Sequence, residues 1–587
     1  MYRFILPVLA GFIFFTAQSQ TFTELADTKP RDSEAAWRGL KNNYNFSWGN
    51  TDTRYPKHTI PVKQGMKNPD GGSTAIRLTA WRGERVNAQA VLYVKDAWQD
   101  VSIKVSDLRS GSHIIPSAQV KISPVAYVMT DELNKDGKGG CGHRPDPTKF
   151  DSSIVADILD HHVPRFTVEA NSTRPVWVSV DVPANVPPGN YKGTLTATSA
   201  GSKPLSLSIS IQVLNRTLPD ASKWSFHLDL WQNPYAVARF HNVPLWSREH
   251  FDHMRPLMKM LAGAGQKIIT ATIMQLPWAG QTYDRFSSMV QKIKNIDGSW
   301  QYDYEVFDKW VTYMMQEIGI DAQINCYTMI PWAMNFDYYD KGSNSVKFIH
   351  AKTGSPEFVG YWIPFLKDFA RHLKSKGWFE KTTIAMDERS LADMQSTIKL
   401  IKSADAGFKV SLAGNYHKEI EADIYDYCIA FGQHFPTEIK AERDRQGKRS
   451  TVYTCCTEPF PNTFTFSAPA EARWLGWHTA AGNYDGYLRW AYNSWTRSPL
   501  QDSRFKTWAA GDCYLVYPGG RSSIRFERLR EGIQDFEKIS ILRRELASDP
   551  KKLKKLNDMI SNFTMEGKAG QTTESMIRNA QQLLNRF

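Results

Sequence analysis

From residue 20 to about 217, apolar and polar positions alternate in short runs, and no long stretch repeats at three and four residues. The runs 74–79, 88–94, 176–182 and 205–213 each place apolar side chains at every second position, as strands with one face in a core do. Pro187-Pro-Gly-Asn190 is a turn signal between two of them. The pattern predicts an antiparallel β-sandwich, with the Gly-, Lys- and Asp-rich stretch 131–143 as a long loop within it.

Asn215-Arg-Thr-Leu-Pro-Asp220 reads as a linker, and after it the pattern changes. Short apolar runs at 225–231, 268–274, 322–330, 382–386, 409–413, 427–431, 451–456 and 486–492 alternate with helical segments such as 304–319, 356–377, 391–406 and 469–481. Eight strands separated in this way predict a (β/α)8 TIM-like barrel, with a weak helix near 418–423. From about Ser522 the chain is charged and helical, with a second helix from Glu574 to the end. The expected organisation is a signal peptide over 1–19, a sandwich over 20–217, a barrel over 218–521, and a helical extension over 522–587 packed on the barrel.

The N-terminus adds a compartment. Arg3 precedes an apolar run from Phe4 to Thr16, and Ala17-Gln-Ser19 fits a small-x-small cleavage site, as in a secretory leader. No Cys follows that site and no other segment reaches a spanning length, so the mature protein is expected to be exported to the periplasm or surface of a bacterium, without an integral membrane segment. The net charge of +12 gathers partly at Lys551-Lys552 and Lys554-Lys555. No nucleic-acid motif accompanies it, so a solvated basic helix face is the reading and no nucleic-acid partner is expected. Six cysteines are too few for a disulfide scaffold. Cys326, Cys428, Cys455 and Cys456 read as buried small hydrophobes. The Cys141-Gly-His143 and His161-His162 spacing matches no zinc pattern, so neither a metal nor a cofactor is expected. The 19 Trp residues suit either stacking on sugar rings or large cores.

In a barrel of this kind, catalytic groups emerge at the C-terminal ends of the strands. Reading those ends in order gives Trp231, Trp278, Trp332, Asp387, Glu388, Tyr416, His417, Glu458, Tyr492, Asn493 and Trp495. There is no phosphate loop and no nucleophile elbow. Carboxylates among aromatics and amides fit glycoside hydrolysis, which needs an acid at the leaving oxygen and a group that stabilises the anomeric cation. Two mechanisms fit. In one, Glu388 is acid/base and Glu458 the nucleophile. In the other, the substrate's 2-acetamido oxygen attacks, Asp387 orients that group and Glu388 protonates the leaving oxygen. The adjacent pair in Met386-Asp-Glu-Arg389 favours the second, because neighbouring carboxyls in different surroundings hold different charges. The blander alternative is a strand end whose Asp caps the next helix.

With that pair and the C-terminal segment Arg525-x-Glu527-x-x-Arg530-x-Gly532-x-x-Asp535, the mature chain resembles glycoside hydrolase family 123. The resemblance implies a sandwich followed by a barrel. It also implies exo-acting release of terminal β-linked N-acetylgalactosamine from glycolipid-type glycans, with Asp387 and Glu388 as the substrate-assisted pair. The aromatic and polar residues above are then candidate sugar contacts. A non-catalytic glycan-binding surface protein on the same scaffold is the alternative from another class.

Overall fold

The computed structural model describes residues 22–61, 72–133, 141, 152–506, 508–564 and 572–587. The leader-like run 1–19 and most of the 131–143 loop lie outside the described residues.

The alternating runs pair into two facing sheets. One has the order Tyr44–Trp48, Arg85–Val94, Ser172–Asp181, Val120–Thr130, Ser153–Leu159; the other has Ala75–Arg82, Leu205–Thr217, Gly189–Thr198, Trp98–Val105, Phe166–Val168, with two short strands at one side. Their inward positions, among them Leu92, Val101, Val178, Leu195, Ile209 and Ile211, form one apolar core.

The eight barrel strands are His227–Leu230, Ile268–Thr272, Gln323–Tyr327, Thr382–Met386, Lys409–Gly414, Asp426–Ala430, Arg449–Tyr453 and Gly486–Arg489. All are parallel, in the cyclic order one, eight, seven, six, five, four, three, two. The seam between strands one and two is narrow: a single bridge joins Leu228 to Gln266. Side chains complete it. Gln266 Oε1 accepts from Leu230 N at 3.0 Å, and Gln232 Oε1 accepts from Thr270 N at 2.9 Å, so backbone groups that a wider ladder would pair are satisfied by amides. The predicted weak helix between strands five and six is a single turn, Glu421–Asp423. A feature absent from the sequence reading is a small four-stranded sheet, Gln291–Lys294, Trp300–Asp303, Asn335–Asp340 and Ser345–His350, built in the loops after strands two and three.

Ile524–Glu545, predicted to pack on the barrel, is buried nearly all round and lies between barrel and sandwich. Just before it, Ser522–Ser523 adds a strand to the sandwich beside Leu159 and Ile158. The helix crosses barrel helix Pro469–Ala481 at glycines: a Cβ on Gly476 would stand 2.1 Å from Gly532 O, and one on Gly532 would stand 2.5 Å from Arg473 O. Backbones that close admit no side chain. Arg525 Nε donates to sandwich Asp157 at 2.9 Å, while its Nη1 donates to Thr463 O at 2.7 Å and Tyr514 O at 2.9 Å in barrel loops. Asp157 also accepts from Arg54 and Tyr517. Burial alone would raise the Asp157 carboxyl, but Arg525 and Arg54 hold it below the ordinary range. Asp535 accepts from both sides of the Arg473 fork and from Trp477 Nε1. Arg525, Glu527 and Asp535 of the C-terminal segment thus pair outward, with Asp157, Arg85 and Arg473, while Arg528 and Glu531 also pair within it. The basic helix Pro550–Ile560 turns its lysines to solvent and buries Leu556 and Ile560. Among the described residues no helix is long and apolar enough to cross a membrane.

Removing one partner of a buried pair strands the other charge. Asp157→Ala is therefore expected to lower stability by about 3–5 kcal/mol, read as a fall in the denaturation midpoint, with Lys551→Ala changing it by less than about 0.5 kcal/mol. Equal midpoints for the two variants would refute a structural role for the Arg525 network.

Candidate active site

Strand four, Thr-Thr-Ile-Ala-Met, is wholly buried and ends at Met386, so Asp387 and Glu388 are the first residues beyond it. Helix Leu391–Ala404 follows, and its cap is Ser390, whose hydroxyl accepts from Asp393 N. Asp387 is thus free of the capping role. Its Oδ2 accepts from Trp332 Nε1 at 3.0 Å and its Oδ1 from Glu388 N at 2.8 Å. Glu388 Oε1 accepts from the hydroxyl of Tyr453, the last residue of strand seven.

The two carboxylates line a cavity of about 290 Å³ with Trp231, Trp278, Trp332, Trp490, Trp508, Gln281 and Tyr453. Its floor is an apolar cluster of its own at the barrel mouth. Trp231 stacks on Trp278 at 5.0 Å between ring centroids and tilts against Tyr327 at 4.5 Å. The turn that presents Trp278 holds Leu276 and Ala279 at φ of 49° and 50°, a left-handed backbone rarely adopted by such residues. Trp278 Nε1 is buried with no partner among the described residues. A larger cavity, about 770 Å³, lies between the sandwich and the C-terminal helices and holds charged groups such as Arg473, Glu531, Asp535 and Lys538; these pair with one another or with Glu84, and it is remote from the strand ends.

Of the residues expected from strand ends, the structure brings Trp231, Trp278, Trp332, Asp387 and Glu388 together. It places the others elsewhere. Strand eight stops at Arg489 rather than Tyr492, because the Arg489 guanidinium turns inward to Asp512 at 2.6 Å and Asn462 at 2.7 Å. Trp490 is therefore the residue delivered to the cavity, its Nε1 donating to Asp512 Oδ2 at 3.2 Å. Tyr492, Asn493 and Trp495 are fully buried instead, bonded to Leu257 O, Asn233 and Val516 O. Tyr416 packs against Tyr427 and Phe435, and His417 N donates to the Tyr427 hydroxyl, away from the cavity. Glu458 turns into its own loop, accepting from Cys455 N at 2.7 Å and Thr457 Oγ1 at 2.6 Å. Tyr453, Trp490, Trp508 and Gln281 were missed. Tyr453 and Trp490 would have followed from strands seven and eight ending three residues earlier; Gln281 and Trp508 sit in aperiodic loops with no signal.

Residues 231–542 match the glycoside hydrolase 123 catalytic domain, and 48–199 match the glycoside hydrolase 123 N-terminal domain. The chain belongs to glycoside hydrolase family 123. It is a glycoside hydrolase, and its sandwich-plus-barrel architecture is shared with a family 123 hydrolase from Clostridium perfringens. That structure, described for glycolipid glycan hydrolysis, superposes with a TM-score of 0.82 at 26% identity, covering 93% of this chain and 97% of its own. A Bacteroides ovatus GH5 xyloglucanase also aligns, at 8% identity over 78% of this chain and 98% of its own, but with a TM-score of 0.27, too loose to inform function. No curated protein matches.

In this family 123 chain the mouth is also covalently braced. Cys456, read from sequence as a buried hydrophobe, is joined to Cys141 across a separation of 315 residues. The bond ties a sandwich loop to the cavity wall. Cys455 Sγ lies 3.8 Å from Cys141 Sγ, and the three sulfurs cluster within 4.8 Å. Two of them are spent in the disulfide, and burial pushes the Cys455 thiol up to about 12, which leaves a neutral thiol rather than a set of thiolate ligands.

Burial pushes the Asp387 carboxyl up to about 6, against the pull of the Trp332 and Glu388 N–H groups. The folded state therefore disfavours the Asp387 anion. That cost is present in full above pH ~6 and fades as pH falls towards the unfolded value of about 3.9. Asp387→Asn is expected to raise the melting temperature at pH 7 and to match wild type below pH ~4. A variant less stable at pH 7 would contradict the desolvation account.

Proposed function

We propose that this hydrolase releases terminal β-linked N-acetylgalactosamine from glycolipid-type glycans with retention of configuration, the substrate's own acetamido oxygen acting as nucleophile. One observation carries the reading: Asp387 and Glu388, neighbours on one strand end, are the only carboxylates among the described residues lining the cavity. A two-carboxylate retaining enzyme needs a nucleophile about 5–5.5 Å from the acid, across the sugar. Glu458, the candidate for that place, spends both oxygens on its own loop. A small pocket walled by tryptophans, at about 290 Å³, favours an end sugar over an extended chain. The glycolipid class is supported by the description of the Clostridium perfringens relative. The leader-like N-terminus fits an exported enzyme.

In this reading Asp387 accepts the acetamido N–H and offsets the charge that grows on nitrogen as the carbonyl oxygen bonds to the anomeric carbon. The glycosidic C–O bond breaks as Glu388 gives its proton to the departing oxygen. Glu388, now ionised and held by the Tyr453 hydroxyl, takes a proton from the water that opens the cyclic intermediate at the anomeric carbon. The carboxyl proton is restored and the β-configured sugar leaves. Trp332 Nε1 orients Asp387 and favours its anion against the cost of burial.

Aryl β-N-acetylgalactosaminide is expected to be cleaved, aryl β-galactoside is not, and a thiazoline mimic of the cyclic intermediate should inhibit. Cleavage of the plain galactoside, untouched by the thiazoline, would return the nucleophile to the protein. Asp387→Asn and Glu388→Gln should each cost about 10²–10⁴-fold in kcat, with Glu458→Gln far milder. Because Asp387 works as an anion, kcat/KM should fall as pH drops through about 6. Trp332→Phe, which removes a hydrogen bond favouring the anion, should move that limb to higher pH; an unmoved limb would assign it to another group.

A further inference from the structure

Among the described residues seven large apolar side chains are exposed, and five of them, Tyr283, Ile296, Trp332, Val346 and Phe348, lie in the loops after barrel strands two and three. These loops supply two cavity walls, Trp278 and Trp332, and build the small four-stranded sheet. Apolar exposure is thus concentrated on the catalytic end of the barrel.

The register of that sheet explains why. Phe336 and Ile349 face each other across its hairpin, and Phe336 packs against Phe358, Tyr361 and Trp362 of helix Pro356–Ser375. The opposite face carries the pairs Tyr339–Val346 and Asp337–Phe348, so alternation leaves Val346 58% and Phe348 46% exposed. The two hairpin turns lie side by side, because Lys341 N donates to Lys294 O at 3.0 Å. Ile296, 84% exposed, stands on the neighbouring turn. From Asn335, three residues past Trp332, the strand runs about 20 Å to this tip. Lys341 is exposed on the turn, whereas Lys347 lies on the opposite face and pairs with Asp340 at 2.7 Å. Exposed apolar side chains on a hairpin beside the cavity fit the boundary of a bilayer, where apolar groups enter the acyl edge and a lysine such as Lys341 meets the headgroups.

We infer that the tip Ile296, Val346 and Phe348 docks on a lipid bilayer surface and holds the cavity over glycans carried by that membrane. The inference rests on the glycolipid reading above for its purpose but not for its test. A soluble substrate needs no membrane, so cleavage of the aryl glycoside reports the catalytic reading alone.

The test is sedimentation of the full protein with phosphatidylcholine vesicles, with and without phosphatidylserine and free of any glycolipid. It compares wild type with Ile296→Ser/Val346→Ser/Phe348→Ser. Wild type is expected to co-sediment with both vesicle types, and the triple variant to partition at least about tenfold less. The variant should cleave the aryl glycoside at the wild-type rate, which also shows that it is folded, and should cleave vesicle-borne glycolipid severalfold more slowly. Failure of wild type to bind vesicles, or equal binding by the variant, would overturn the inference. So would a wild-type dimer in solution that the substitutions dissociate, since the face would then belong to a second copy of the chain.

Discussion

A single guanidinium, that of Arg525, holds the molecule's parts in one arrangement. Buried where sandwich, barrel and long helix meet, it donates to sandwich Asp157 and to carbonyls of the loops after strands seven and eight. Each partner lost from a charge so placed leaves a desolvated donor. The same logic repeats along the helix, in Arg473 with Asp535 and Lys538 with Glu84, and just before it, in Arg521 with Asp160. These pairs join the long helix and its flank to sandwich and barrel through directed hydrogen bonds.

That docking reaches the cavity. The loop after strand seven, pinned through Thr463 by Arg525 and through Asn462 by Arg489, carries Cys455 and Cys456 into the wall. The disulfide from Cys456 then brings a sandwich residue, Cys141, to the same wall. The sandwich is therefore a part of the mouth as well as a neighbour of it. Within the mouth, two adjacent carboxyls differ because their surroundings differ. One is held against indole rings and pushed up towards neutrality; the other opens to the cavity beneath a tyrosine hydroxyl. Adjacent carboxyls differ in this way only because tertiary structure surrounds each side chain differently.

Much of this was legible beforehand. Strand four was read to the residue, Thr382–Met386, because a short apolar run stops at an Asp-Glu pair just before a helical stretch. Strand eight was read too far because Gly486 to Tyr492 is apolar throughout apart from Arg489, and no local signal says that Arg489 turns inward to a buried carboxylate. A displacement of a few residues then exchanged Trp490 for Tyr492 and Trp495 as cavity residues. The four-stranded sheet escaped notice because its strands are short and split between two loops.

The sequence by itself determined the two architectures, the change from period two to strand–helix alternation near Asn215, and the carboxylate pair at the fourth strand end. These follow from periodicity and local chain chemistry, which act over a few residues. Tertiary structure alone decided which aromatics enclose the pair, that Cys141 meets Cys456, that Glu458 faces away, and that the charged C-terminal motif is buried between domains. Those outcomes depend on which distant groups arrive side by side, and burial, pairing and desolvation are properties of that meeting rather than of any residue in its own segment.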